Sequence, residues 1–178
     1  MTPEEKADRA RQRMIEKAKE FQTGTYSNKF VAPEFQSMIR AEAGAQPPGK
    51  VLAIMNGTPQ KVFRSVGQVV CVTCGKVGPW RSGIGGMHTG HFLGSRCFSI
   101  LFDEENVAPQ CSNCNRYRSG RPQEFRAWMI AVRGEDTIER LERLKPTTRQ
   151  FTRAELVDMR IEFNQRTREA IEQMGGLL

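Results

Sequence analysis

The sequence predicts an α+β protein: a small metal-stapled core of two strands and a helix, flanked by an N-terminal helix and by C-terminal helices. Three observations predict it. Two CxxC pairs, Cys71/Cys74 and Cys111/Cys114, enclose 36 residues. Short apolar runs with strand-like alternation surround those pairs. Helical periodicity opening on capping boxes occupies both ends of the chain. The expected division is an N-terminal helical and irregular extension over 1–65, the core over 66–121 and a helical region over 122–178.

Thr2-Pro3-Glu4-Glu5 is a capping box with proline at the first helical position, and Ala7, Ala10, Met14, Ala18 and Phe21 continue it at helical spacing, predicting a helix over 3–21. A short helix is expected around 33–43, and the run GAQPPGK at 44–50 breaks it. Two apolar runs then flank Asn56-Gly57, a hairpin signal in which Thr58-Pro59 is expected to lengthen the turn. VGQVVCVTCG reads as a strand entering the first cysteine pair, and GPWRSGIGG as a loop. No GK[ST] follows that loop and no helix opens on it, so it is not read as a phosphate cradle.

HTGHF is expected to enter one strand and CFSILF to form the next, with Phe98, Ile100 and Phe102 on one face and Cys97, a buried small apolar residue, on the other. DEEN reads as a turn, and CSNCNRYRSG as a short helix stopping near Gly120. Beyond it, helices are expected over 122–133 (Phe125, Trp128, Met129, Val132 on one face) and 135–144 (Ile138, Leu141, Leu144). A last helix is expected from Thr152 to about Met174 (Leu156, Met159, Ile161, Phe163). Phe151 is placed as a hydrophobic staple, Thr152/Glu155 as a capping box and Gly175-Gly176 as the stop.

The net charge of +7 is unevenly spread, with an excess of 3 over residues 22–70 and of 4 over 71–133, and balance or slight acidity elsewhere. A localised basic excess around the cysteines suits a polyanion such as nucleic acid. No apolar run approaches a membrane span, and the N-terminus has acids from position 4 and no apolar signal segment, so a soluble cytoplasmic protein without membrane contact is expected.

Four cysteines in two such pairs suit tetrahedral zinc, and a site closed by four thiolates leaves no open position, so this Zn2+ is expected to be structural. Both histidines, His88 and His91, lie between the pairs, and Asn115 directly follows the second. A neutral imidazole suits proton abstraction from water near neutral pH. An amide oxygen suits a hard cation such as Mg2+ or Mn2+. Arg116, Arg118 and Arg121 follow on or just past the same helix, and Arg96 lies upstream; guanidinium forks match phosphate oxygens, making these the candidate nucleic-acid contacts.

The run HTGHFLGSRCFSILFDEENVAPQCSNCNRYRSG resembles the zinc-clipped HNH endonucleases of the ββα-metal (His-Me finger) class. More closely, it is similar to the core of the phage NinG (Rap) recombination protein family, with its GH(Y/F), its acidic turn ending in asparagine and its QCxxCNxxxSG helix start. The likeness spans about 66–145 and is most specific over 88–120. It implies an HNH-like core in which His91 is the general base and Asn106 braces the loop holding it. It further implies Asn115 as a ligand of the catalytic ion, the four cysteines as the zinc clip, and DNA, branched DNA included, as substrate in a bacterial host. Typical HNH nucleases carry an aspartate or histidine as second metal ligand directly before the base, where this chain has Gly90; His88 or Asp103 is the expected replacement. Two other readings stay open: a non-catalytic zinc-ribbon-like DNA-binding recombination accessory, and a zinc-stapled protein adaptor. A homodimer is expected through helix 3–21 or 152–174, since a two-fold branched substrate favours a symmetric pair.

Overall fold

The computed structural model describes residues 1–94 and 97–175. Helix α1 (Pro3–Ala18) opens on the Thr2/Glu5 capping box and ends three residues before Phe21. A short α2 (Thr23–Tyr26) runs through a widened π-type turn at Ser27–Val31 into α3 (Ala32–Ala45), so the helical content between residues 22 and 46 exceeds the one short helix expected around 33–43. Strands β1 (Gly49–Met55) and β2 (Thr58–Arg64) form a hairpin. Its turn is the two residues Asn56 and Gly57 alone, at φ 52° and 78°, the left-handed pair that a tight hairpin demands. The expected lengthening by Thr58-Pro59 is therefore corrected: Pro59 sits in β2 opposite Ile54, tolerated because a proline at an edge needs no donor.

Two further antiparallel ribbons follow, β3 (Gln68–Val70) with β4 (Val77–Pro79), and β5 (Met87–His91) with β6 (Val107–Cys111). The second strand of the core is thus VAPQC, not CFSILF. Residues 98–102 form successive turns, with Ile100 N–H donating to Cys97 O and Asp103 N–H to Ile100 O. Phe98 and Phe102, four apart, pack into one apolar cluster, whereas Cys97 and Ile100, three apart, pack into another. The run satisfied both a period of two and a helical period. Asn106 and Ser99 favour the turns by bonding the carbonyls of Ile100 and Leu144.

A one-turn helical segment at Asn113–Tyr117 completes the ββα order. Then α4 (Pro122–Arg133), α5 (Glu135–Leu144) and α6 (Arg153–Gln173) follow with the expected bounds, and α6 carries its Thr152/Glu155 capping box. Two residues assigned to buried faces turn outward: Val132 is 46% exposed and Ile161 36%, while Val157 is buried in α6 instead. Among the described residues no helix is long and apolar enough to cross a membrane.

Among the described residues three apolar clusters hold these pieces together. Phe35 and Met38 of α3 meet Leu156 and Phe163 of α6. Trp80, Met87, Ala41 and Ala170 surround the cysteines. Ile54, Ile100, Phe125, Trp128 and Ile138 join the hairpin to α4 and α5. The contact of α3 with α6 ties the first quarter of the chain to its end, and Arg166 reinforces it by bonding Glu42 of α3 and Glu104 just before β6.

Candidate metal clip and phosphate cleft

The cysteine pairs come from two tight turns. Cys71 closes β3, and Gly75, at φ 76°, returns its N–H to the Cys71 carbonyl. Cys111 ends β6, and Cys114 lies one helical turn further on. All four sulfurs lie within 4.8 Å of one another, and Cys74 Sγ stands 3.8 Å from Cys111 Sγ. A tetrahedral ion with metal–sulfur bonds of about 2.3 Å requires sulfurs roughly 3.8 Å apart, so the set is shaped to hold one metal ion such as zinc. Burial pushes the Cys71 and Cys74 thiols above their ordinary value. Only the thiolate ligates, so binding an ion here releases protons. The clip joins the turn after β3 to the start of the helical segment at 113–117.

Beside it opens a cleft of about 780 Å³ between α3 and that helical segment, lined by His88, His91, Asn115 and Arg116 among others. These four sequence-predicted residues are therefore brought to one place. His91 is half-buried, and its Nε2 lies 3.3 Å from the Leu101 carbonyl. A carbonyl only accepts, so Nε2 carries the proton and Nδ1 is the basic nitrogen. Burial holds its pKa below the usual histidine value, with the Leu101 contact opposing, so the ring is neutral at pH 7. His88 is lowered too, by burial first and then by the charges of Arg116 and Arg40.

The other predicted residues lie elsewhere. Asn106 is fully buried: its Oδ1 accepts from Leu93 N–H at 2.9 Å, and its Nδ2 donates to the carbonyls of Leu93 and Ile100. With Phe92 N–H on the Asn106 carbonyl, this fastens the loop leaving His91 to the start of β6. Arg121 is ion-paired with Glu124, and Arg118 is exposed outside the cleft lining. Asp103 is held by Arg140 at 2.7 and 3.1 Å and does not line the cleft, so it is not placed as a replacement metal ligand. Arg96 falls outside the described residues.

Gly90 has a structural reason. A Cβ there would stand 2.1 Å from Gln110 Oε1 and 2.7 Å from its Cδ, so no side chain fits while Gln110 keeps its place. Gln110, fully buried on β6, donates from Nε2 to Thr73 Oγ1 at 3.0 Å and to the Gly120 carbonyl at 2.7 Å. It thus braces the first cysteine turn against the exit of the helical segment. That exit runs through Ser119, Gly120 and Arg121, all left-handed at φ 48°, 78° and 50°. Such conformations persist only where surrounding bonds over-determine them. Sequence reasoning missed Gln110, whose one signal is a polar residue in an otherwise apolar strand. It also missed Arg40 of α3, 7% exposed, which lines the cleft from the opposite wall.

The family model described as Bacteriophage Lambda NinG protein matches residues 60–173. That span includes both cysteine pairs, β5, β6 and the C-terminal helices, and it reaches further than the likeness over 66–145. No curated protein and no solved structure matches the chain.

Proposed function

Because the chain belongs to the bacteriophage lambda NinG family, we propose that it is a metal-dependent DNA endonuclease of the HNH type, acting on branched DNA in phage-type recombination. The observation that carries the reading is the shared cleft of His91, His88, Asn115 and Arg116 beside the cysteine clip. His91, neutral at pH 7 and with Nε2 occupied by the Leu101 carbonyl, takes a proton from water at Nδ1. Arg116 contacts a phosphate oxygen and helps orient the diester for attack. Asn115 offers an amide oxygen, and His88 a nitrogen, to a divalent ion. A bound Mg2+ or Mn2+ supplies positive charge to the pentavalent state and the leaving oxygen. Of the chain's own residues Asn115 and His88 would hold that ion, and Gly90 contributes no donor. A homodimer belongs to the same proposal, because a two-fold branched substrate is cut symmetrically by two sites; light scattering that finds only monomer removes it.

The test is cleavage of junction and linear DNA with magnesium or manganese. His91→Ala is expected to lower the rate about 10²- to 10⁴-fold with zinc content unchanged. An equal rate in the variant overturns the mechanism.

One observation favours a second reading. The place of the usual second ligand is closed by Gln110, and Asp103 is engaged by Arg140 outside the cleft lining. A non-catalytic DNA-binding accessory needs neither. It predicts salt-sensitive DNA binding without cleavage under any divalent ion.

A further inference from the structure

Among the described residues two arginines are more than nine-tenths buried, Arg64 and Arg40. They differ in what meets them. Arg64 donates to four carbonyls, of Gly44, Ser65, Gln68 and Pro47, two of them at the C-terminal end of α3, where the helix dipole favours a cation. Other, more exposed arginines have carboxylates: Arg166 has Glu42 and Glu104, Arg140 has Asp103 and Glu105, and Arg11 has Asp158. Arg40 has neither arrangement. Its Nε donates to the Trp80 carbonyl at 3.2 Å and its Nη1 to Thr89 Oγ1 at 3.1 Å, while Thr89 Oγ1 donates onward to Gln36 O at 2.8 Å. Nη2 makes no hydrogen bond to the described residues, and none of their carboxylates lies within 4.0 Å of the guanidinium.

Two neutral acceptors fix the orientation of a guanidinium without neutralising it. Burying a charge without a counter-charge is costly. Burial pushes the Arg40 guanidinium down to about 10, so it stays charged at neutral pH. Arg116 on the lining adds to the field, His88 between them is kept neutral by burial and by both arginines, and Glu34, a carboxylate on the lining, stands 3.9 Å from Arg160. A rigidly held, desolvated fork at the wall of a basic cleft is complementary to a tetrahedral oxyanion that accepts two or more hydrogen bonds.

We propose that Arg40 is a phosphate anchor: it holds a nucleic-acid backbone phosphate in the cleft from the α3 side, opposite Arg116. The inference rests on the nucleic-acid reading of the cleft, not on cleavage. It puts α3, which lies before the family-matched span, into the binding site. Strand passage between α3 and the segment at 113–117 follows.

The test uses the full zinc-loaded chain and a fluorescent DNA junction, with no magnesium or manganese added, read by anisotropy over a salt series. Arg40→Met preserves volume and removes the charge. It is expected to weaken binding roughly 10- to 100-fold, a charged hydrogen-bond loss, and to flatten the salt slope by about one unit. The melting temperature should hold or rise, since the uncompensated charge is gone. Arg40→Lys, which keeps the charge and loses the fork, should fall between; it also serves if the methionine variant does not fold. Inorganic phosphate should raise the melting temperature of the wild type more than that of either variant. Unchanged affinity and salt slope in a folded Arg40 variant overturn the proposal. So does stabilisation by inorganic phosphate without any DNA binding, which would make the occupant a free anion. Wild-type binding without cleavage when magnesium is restored sinks the endonuclease reading and leaves Arg40 standing. Cleavage and binding undiminished by Arg40→Met do the reverse.

Discussion

Gln110 and Gly90 behave as one unit. The carboxamide fills the space a residue-90 side chain would need and bonds both Thr73 and Gly120. Gly90→Ala is expected to cost about 1–3 kcal/mol by urea unfolding, as overpacking against a braced side chain does. The cost should shrink in a Gln110→Ala background, because the clash is then removed; equal cost in both backgrounds would show that Gln110 is not the obstacle. His91 yields a pH prediction. Its folded pKa lies below the ordinary 6.5, so the unfolded chain takes up the proton first as pH falls. Stability therefore drops as pH goes below about 6.5 and stops dropping below the folded value. Cleavage should rise with pH through a base limb below 6.5 and level above it, and a limb well above 6.5 would exclude His91 as the base. Asn106, Asn115 and the histidines were legible because motif spacing and a family likeness named them. Arg40 and Gln110 were not, because a buried arginine and an arginine on a solvated helix face look alike in sequence.

Between neighbouring residues, local signals were reliable where one force acted alone. Capping boxes set the starts of α1 and α6, and Gly134, at φ 85°, caps the end of α4. Asn56-Gly57 announced the hairpin, and Gly57 stands at φ 78° with open space around it. Gly57→Ala should thus cost only its backbone strain, about 1 kcal/mol in thermal melts; a much larger loss would mean an unseen contact. Within CFSILF, at 97–102, two periods compete, whereas DEEN forms the expected turn. CFSILF alternates, yet its pairs at i,i+3 and i,i+4 are satisfied by opposite clusters. VAPQC carries a proline, which argues against a strand until Pro109 is seen opposite Thr89, its carbonyl accepting from Val72 N–H. The clip itself should be essential for this region. Chelation or Cys114→Ser is expected to lower the melting temperature by many degrees and abolish DNA binding, with elemental analysis falling from about one zinc per chain towards zero.

The protein as a unit depends on contacts that run from one end of the chain to the other. The apolar face of α3 is covered by α6, and Arg11 of α1 bonds Asp158 of α6 through both oxygens. A chain beginning at residue 49 would keep the whole family-matched span and lose one wall of the cleft, Arg40 and the cover of α6. It should melt without cooperativity, if it folds at all, when followed by circular dichroism; a cooperative melt like that of the full chain would show that α3 is an accessory.

The sequence by itself determined the helices with clean caps, the hairpin turn, the four-sulfur clip and the identity of the histidines and asparagines around it, because each is written in spacing over a few residues. Only the tertiary structure decided that 98–102 would turn and 107–111 would pair, that residue 90 had to be glycine, and that a guanidinium from α3 would stand uncompensated across from Arg116. Those outcomes depend on which distant groups compete for the same volume or the same hydrogen bond, and competition of that kind has no local signature.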